Sequence, residues 1–553
     1  MTRLSFLHRV PPWLLAFSPA LLVLAMLDPL LIGAPFQDSW VFIWQYLDLC
    51  EGRYTWAEFF QPHNAHPSAV GKALYFAVLR WGDGDVALLP RLTWIISFVI
   101  ALGVRMLSKP LWIGHPWRGA ALCFFSNLAI FSASAGHTWV WDFVFQNALP
   151  GMFLVIALVA LSSHGFLAVR LAVALLSAVL ATFSFGSGFF VGVLLTPAVW
   201  CAVSGPWKMR AAYSATWFFV GLFTAWIALS YCSPTTTNQA AAGGQIAHLL
   251  SQPTMAAQYV FLLLGLPLGQ GSVVEPETLC ALMGVLLCGV LGVSIAKLWR
   301  EHSLVRWQEA LPWLILCSWS MLNALLICYG RMRYTLSTAV APRYVTFVLF
   351  FTVGVVMLAA VAWRNDRGVG PRAMALWHKS VAGLVALLLV AHAYSWVAGY
   401  HHMRLESVRM RQEVGAFSLA PVVRPLDEQI WWYLKNGDSL QWAQGLRKLD
   451  RLREISFASS ADVAAFRTAA SPLAARWASW TLWSDASNGA LVCRGTCGLN
   501  KDLFSQPDLV LLSAQAEGGP EQFIAFAKPK LPEDFMDREL LRRVHHEHYF
   551  GWE

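Results

Sequence analysis

Asp38, in the stretch GAPFQDSW, stands just beyond the first long apolar run. A carboxylate held there at a membrane surface can act as a general base toward a substrate hydroxyl. The structural alternative is a helix-capping Asp. The stretch PHNAH then places His63, Asn64 and His66 close together. They offer hydrogen bonds to a substrate, acid/base work or metal ligation. His-x-x-His with no helix and no third ligand is a weak metal signature, and Pro67 argues against a regular helix through the pair. A pair of interfacial loop histidines is the equal alternative. In GHTWVWDFVFQNALPGMF, Asp142 and Gln146 stand one helical turn apart at the mouth of a span. An ionisable group at membrane depth is costly and usually faces an internal cavity. Trp139 and Trp141 read first as interfacial belt residues, with stacking on a sugar as the alternative. Asp28, inside the first span, reads as a buried packing group. The stretch CYGRMRYTLSTAVAPRY carries Arg331, Arg333, Arg343 and Tyr344. Guanidinium forks there suit a lipid phosphate or diphosphate, against simple head-group anchoring. If this stretch is helical, Arg333 points about 200° away from Arg331.

These residues need a scaffold, and composition dictates its class. Of 553 residues, 57% are hydrophobic and 13% charged, against about 25% charged in soluble domains. Mean hydropathy is +0.51. That excludes a cytosolic enzyme, a disordered chain and a small secreted scaffold. It predicts an α-helical polytopic membrane protein. The 40 Lys and Arg against 32 Asp and Glu give a net charge of +8. In a membrane protein this excess signals topology first, and no basic run suits nucleic acid. The 28 Trp fit interfacial belts at many helix ends.

Apolar runs of spanning length cover 13–34, 86–107, 120–135, 147–162, 166–183, 187–203, 211–231, 277–297, 311–329, 344–363 and 381–399, about eleven in all. The first is too long for a signal-peptide core and reads as an uncleaved anchor. The shorter run 255–269 reads as re-entrant or interfacial. Basic residues fall in alternate loops: Lys109 and Arg118, Arg170, Lys208 and Arg210, Lys297, Arg300 and Arg306, then Arg364, Arg367, Arg372 and Lys379. The positive-inside rule puts these in the cytoplasm with the N-terminus. Residues 1–399 then form the transmembrane domain, with a long first outer loop at 35–85. Residues 400–553 form a small α/β domain outside, with a helix at 440–455 and strands at 509–512 and 523–526. Most of the 10 Cys are scattered apolar fillers. Cys493 and Cys497 stand together in the tail and suit a disulfide or two free thiols.

Taken together, these pieces resemble the C-type (GT-C fold) superfamily of integral membrane glycosyltransferases. The shared pattern is a cytoplasmic start and a long first outer loop with an acidic residue just after the first span. Several stretches resemble a poorly characterised bacterial branch: FQDSW its acidic-Trp start, PHNAH its His-Asn-Glu-His-Arg box, TWVWDFVFQ its Trp-rich box, and YGRMRYTLSTAVAPRY its Gly-Arg … Arg-Tyr loop. Ala65 replaces Glu and Pro67 replaces Arg in the second. The likeness covers roughly residues 35 to 350. It implies a polyprenyl-phosphate-linked sugar donor and an inverting transfer.

The expectation is a glycosyltransferase of the bacterial inner membrane, working on the periplasmic face. Asp38 takes the acceptor proton. Asp142, with His63, Asn64, His66, Trp139 and Gln146, positions sugar or acceptor. Arg331, Arg343 and Tyr344 hold the lipid phosphate. The acceptor is an envelope glycan, lipid or protein, and the chemistry admits a divalent metal without requiring one. The rival classes are a transporter or flippase of lipid-linked sugars, and a non-catalytic envelope-assembly subunit. Transporters more often show paired halves, and no repeat is visible. The orientation is directly testable. Reporter fusions ending just after residue 399 should be active outside the cytoplasm, and activity confined to the cytoplasm overturns the predicted topology.

Overall fold

Within a bilayer every backbone N–H and C=O must find a partner inside the protein, so a chain of this composition crosses as helices. The computed structural model describes residues 11–419, apart from 34, 65, 83, 233–246, 271–275, 334 and 365–370, together with strand backbone between 475 and 552. The helices are α1 (Pro12–Leu27), α2 (Ser39–Cys50), α3 (Trp56–Phe60), α4 (Ala69–Trp81), α5 (Leu88–Ser108), α6 (Pro116–Ile130), α7 (Gly136–Val140), α8 (Leu149–Ser162) and α9 (Leu167–Thr182). They continue as α10 (Val191–Leu194), α11 (Thr196–Ala202), α12 (Trp207–Tyr231), α13 (Pro253–Gly269), α14 (Pro276–Glu301), α15 (Leu304–Arg331), α16 (Val345–Ala362) and α17 (Pro371–Leu419).

Among the described residues, eight helical stretches are long and apolar enough to cross a membrane: Pro12–Leu30, Leu88–Leu111, Pro116–Val140, Val144–Ser162, Trp207–Tyr231, Pro276–Glu301, Leu304–Arg331 and Pro342–Ala362. Each coincides with a predicted run. The predicted runs at 166–183 and 187–203 form shorter apolar helices, Leu167–Thr182 and Gly186–Ala202, as does Pro253–Gly269. The run at 381–399 lies inside α17, which continues to Leu419 instead of stopping at the predicted end of the span. The expected outer loop 35–85 is largely helical, built of α2, α3 and α4. Thr55 and Glu58 close a reciprocal capping box at the start of α3.

The chain forms two compact units, divided in α17 between Met403 and Arg404. The first takes residues up to Leu31, Tyr54–Phe76 and Leu89–Met403. The second takes Ile32–Arg53, Ala77–Leu88 and the chain from Arg404. In the second unit Arg409 lies over the Phe36 ring. Its strands β1 (Ala475–Ser484), β2 (Leu491–Leu499), β3 (Val510–Gln515), β4 (Glu521–Ala527), β5 (Pro529–Lys530) and β6 (Tyr549–Trp552) pair antiparallel in the orders β1-β2-β6-β5 and β3-β4. The predicted helix at 440–455 and the Cys493 and Cys497 side chains lie outside the described residues.

In the first unit α16 is the central helix, buried along nearly its whole length against α6, α13, α14 and α15. Helices in lipid gain little from apolar burial against each other, so close packing of small residues matters more. At the α13–α14 contact, a Cβ on Gly284 would fall 2.0 Å from the Phe261 carbonyl oxygen. On the same α14, Gly289 has open space. Polar side chains also join helices: Asn127 donates to the Ala16 carbonyl at 2.7 Å. His392, Ser395 and Trp396 of α17 meet carbonyls near the ends of α6 and α13.

Two sequence expectations change here. Asp28 is exposed, not buried, and pairs with Arg91 at 3.3 Å, in the helical turn Asp28–Leu30 that follows α1. Trp139 and Trp141 are buried within the protein and are not belt residues. The Trp139 indole donates to the Ser132 carbonyl and stacks on Phe131. Trp56, Trp81 and Trp226 are exposed, as a belt requires. The packing is testable within one helix. Gly284→Val should destabilise the detergent-solubilised protein by about 1–3 kcal/mol or more through overpacking. Gly289→Val should leave the unfolding temperature near wild type.

Candidate functional site

The histidine box is a tight turn, as Pro67 implied. His66 N–H donates to the His63 carbonyl at 2.8 Å, and His63 N–H donates back to His66 at 2.9 Å. Asn64 sits at φ +47°, a left-handed conformation that Asn tolerates better than most residues. Its amide lies 2.9 Å from His63 Nε2. The His63 ring packs edge-on against Phe143, and the His66 ring stacks on Phe185 at 4.3 Å.

What pins this turn is α4. Its buried face carries Lys72, Tyr75 and Leu79 at helical spacing. Lys72 is 1% exposed and donates to the Glu58 and Gln61 carbonyls, both at 2.9 Å. Burial pulls its ammonium down to about 8, and Glu58 partly opposes the shift. The Val70 N–H donates to the Phe183 carbonyl at 3.1 Å, joining the start of α4 to the end of α9. Tyr75 donates to Asp142 Oδ2 at 2.7 Å, and Asp142 is 1% exposed. Gln146 is equally buried and lies against Gly71.

Arg331 comes close to this turn. Its guanidinium acts electrostatically on His66, as does His63. Burial is the larger influence, and together they hold the His66 imidazole down at about 4. His66 is therefore neutral at physiological pH, able to donate or accept a hydrogen bond. Arg331 is exposed and is the last residue of α15. Because the helix ends there, the expected helical relation of Arg331 to Arg333 does not exist, and both are exposed. Arg343 follows in a short turn, with its guanidinium over the Tyr344 ring at 5.2 Å.

The structure thus gathers His63, Asn64, His66 and Arg331, and places Asp142 and Gln146 as enclosed groups behind α4. Trp139 is part of the core. Asp38 belongs to the second unit, at the N-cap position of α2, where its side chain makes no cap hydrogen bond. Tyr75 and Lys72 were not singled out in the sequence. Their common signal is spacing, since they share one helical face with Leu79.

No protein-family model, curated protein or solved structure matches this chain.

The His66 environment predicts a pH signature. The folded protein binds this proton near 4 and the unfolded chain near 6.5. Between those values the unfolded state holds more protons, so stability is intact above 6.5 and falls as the pH drops toward 4. His66→Gln should flatten that part of the pH dependence of the unfolding temperature. A variant curve parallel to wild type across the window would show that His66 titrates normally.

Proposed function

We propose that the chain is a multi-pass membrane glycosyltransferase of the bacterial inner membrane, using a polyprenyl-phosphate-linked sugar on the periplasmic face. The observation that carries this reading is the exposed Arg331, close enough to act electrostatically on the neutral His66 of the His-Asn turn. A fixed cation next to neutral hydrogen-bonding groups suits a leaving phosphate, whose negative charge grows as the glycosidic bond breaks. Arg343 and Tyr344 extend that phosphate site. His63 and Asn64 hydrogen-bond sugar or acceptor hydroxyls.

In this reading Asp38 takes the acceptor proton. Asp142, enclosed and held by Tyr75, serves as a positioning residue. The three shorter apolar helices, Leu167–Thr182, Gly186–Ala202 and Pro253–Gly269, together with α17, bear on the total number of crossings. An odd total of about eleven puts the C-terminal unit in the periplasm as an α/β domain. The acceptor is an envelope glycan, lipid or protein.

The decisive comparison is Arg331→Lys with Arg331→Ala at equal membrane expression, measuring turnover of the donor lipid. Lys keeps the charge and loses the planar fork. Losing one charge-assisted hydrogen bond costs about 1.5–3 kcal/mol. Both variants should therefore fall about tenfold to a hundredfold or more. Wild-type turnover in Arg331→Lys would reject the phosphate fork. A deletion strain with unaltered envelope glycans and no accumulated lipid-linked sugar would reject the transferase itself.

A further inference from the structure

Arg105, near the end of α5, is a half-buried cation held between two indoles of the first unit. Its guanidinium lies 4.1 Å from the Trp13 ring centroid, on α1, and 5.8 Å from that of Trp112. The two rings meet edge to face, with centroids 5.0 Å apart. Local contacts fix the second wall. The Trp112 indole donates to Ser108 Oγ at 3.2 Å, and Ser108 Oγ donates to the Arg105 carbonyl at 3.0 Å. Gly119 of α6 leaves room for that ring, since a Cβ there would fall 2.6 Å from it. An indole attracts a cation but offers no acceptor for its N–H groups. Among the described residues the enclosed Arg105 Nε has no hydrogen-bond partner, and no carboxylate pairs with the guanidinium. The connection from Lys109 to Arg118 contains no Asp or Glu to supply one.

We propose that the Arg105–Trp13–Trp112 box binds the phosphate of an anionic phospholipid where α5 and α6 join. Phosphate oxygens match the guanidinium fork and supply the acceptors that the indoles lack. A basic pocket between membrane helices is the kind of site that holds an anionic head group. The surroundings favour a lipid as the source of the phosphate. Ile113 and Trp117 of the connection are exposed, and so are Lys109 and Arg118. Apolar, indole and basic side chains mixed in this way seat a segment at the head-group level. The same charges favour an anionic lipid. The ammonium of a choline or ethanolamine head group would face Lys109 and Arg118 and be repelled, whereas a glycerol head group carries no such charge. None of these residues belongs to the His63–His66 turn, and the site does not depend on the transferase reading.

The test uses the full-length protein, delipidated in detergent micelles and titrated with phosphatidylglycerol or phosphatidylcholine. Native mass spectrometry reads the affinity of the first lipid bound. The wild type should prefer phosphatidylglycerol by about tenfold or more, the scale of one charge-assisted hydrogen bond. That lipid should also raise the unfolding temperature more than phosphatidylcholine does. Arg105→Gln should erase the preference. Arg105→Lys keeps the charge but loses the fork, should also lose most of the preference, and decides the matter if Arg105→Gln fails to fold. Arg300→Gln removes an exposed cation at the end of another helix and should keep the full preference. Excess inorganic phosphate, which has no acyl chains, should not displace the lipid. Equal affinity for the two lipids in the wild type, or wild-type preference in either Arg105 variant, overturns the site. So does an equal loss in Arg300→Gln, which marks diffuse attraction, or displacement by inorganic phosphate, which marks a soluble anion. Because the readout is lipid binding, failure here leaves the transferase reading untouched.

Discussion

The last carbonyls of a helix have no N–H partner of their own, and hydrocarbon offers no water to supply one. That constraint organises the first unit. Near its end α6 presents the Leu128 carbonyl, to which the Trp396 indole donates at 3.3 Å. The end of α13 presents the Leu268 carbonyl, met by the Ser395 hydroxyl, and the Pro267 carbonyl; the His392 ring lies between Pro267 and Leu128, and the one N–H of its neutral form serves one of the two. One stretch of α17 thus serves two helix ends. Satisfying both fixes α17 along its axis, and Gly399 then sets how closely the helix approaches the turn before α7. The meeting of the His137 and His402 rings, with centroids 4.9 Å apart, follows from those contacts.

The histidine turn depends on the same kind of satisfaction. The Glu58 and Gln61 carbonyls lie at the end of α3, and Lys72 reaches both from α4. A buried ammonium is costly unless hydrogen-bonded, and two carbonyls offset much of that cost. The His63 and His66 rings are clamped by Phe143 and Phe185, while Arg331 stays exposed at a helix terminus. Under the proposed function, an exposed cation near these rings would stabilise a developing anion.

Several tryptophans follow this logic too. Trp94, Trp139, Trp217 and Trp319 each donate an indole N–H to a backbone carbonyl within the first unit. A large apolar ring with one donor fits a protein interior that has spare acceptors. The same amphipathic shape suits an interface, so Trp content alone does not separate the two uses.

What the sequence determined by itself are properties that run along one dimension. Apolar length is one, and eight helical stretches lie where hydropathy put them. The effect of Pro67 on its neighbours is another, since ring geometry acts locally, and His63–His66 is a turn. The helical relation of Arg331 to Arg333 failed because α15 ends at Arg331, and a helix end is a matter of a residue or two. Asp28 proved exposed and paired with Arg91, a contact 63 residues away that no local pattern shows. The tertiary structure alone decided which face of each helix is enclosed. Lys72 is a solvated lysine by composition, and only the packing of α4 beneath the end of α3 buries it. Trp139 and Trp141 are belt residues by position, and only the neighbouring helices put them inside. His137 and His402 are distant in the chain, and only the helix-end carbonyls and the missing side chain of Gly399 bring them together. Contacts of that kind depend on how several helices satisfy one another at once, a condition that no local stretch of sequence expresses.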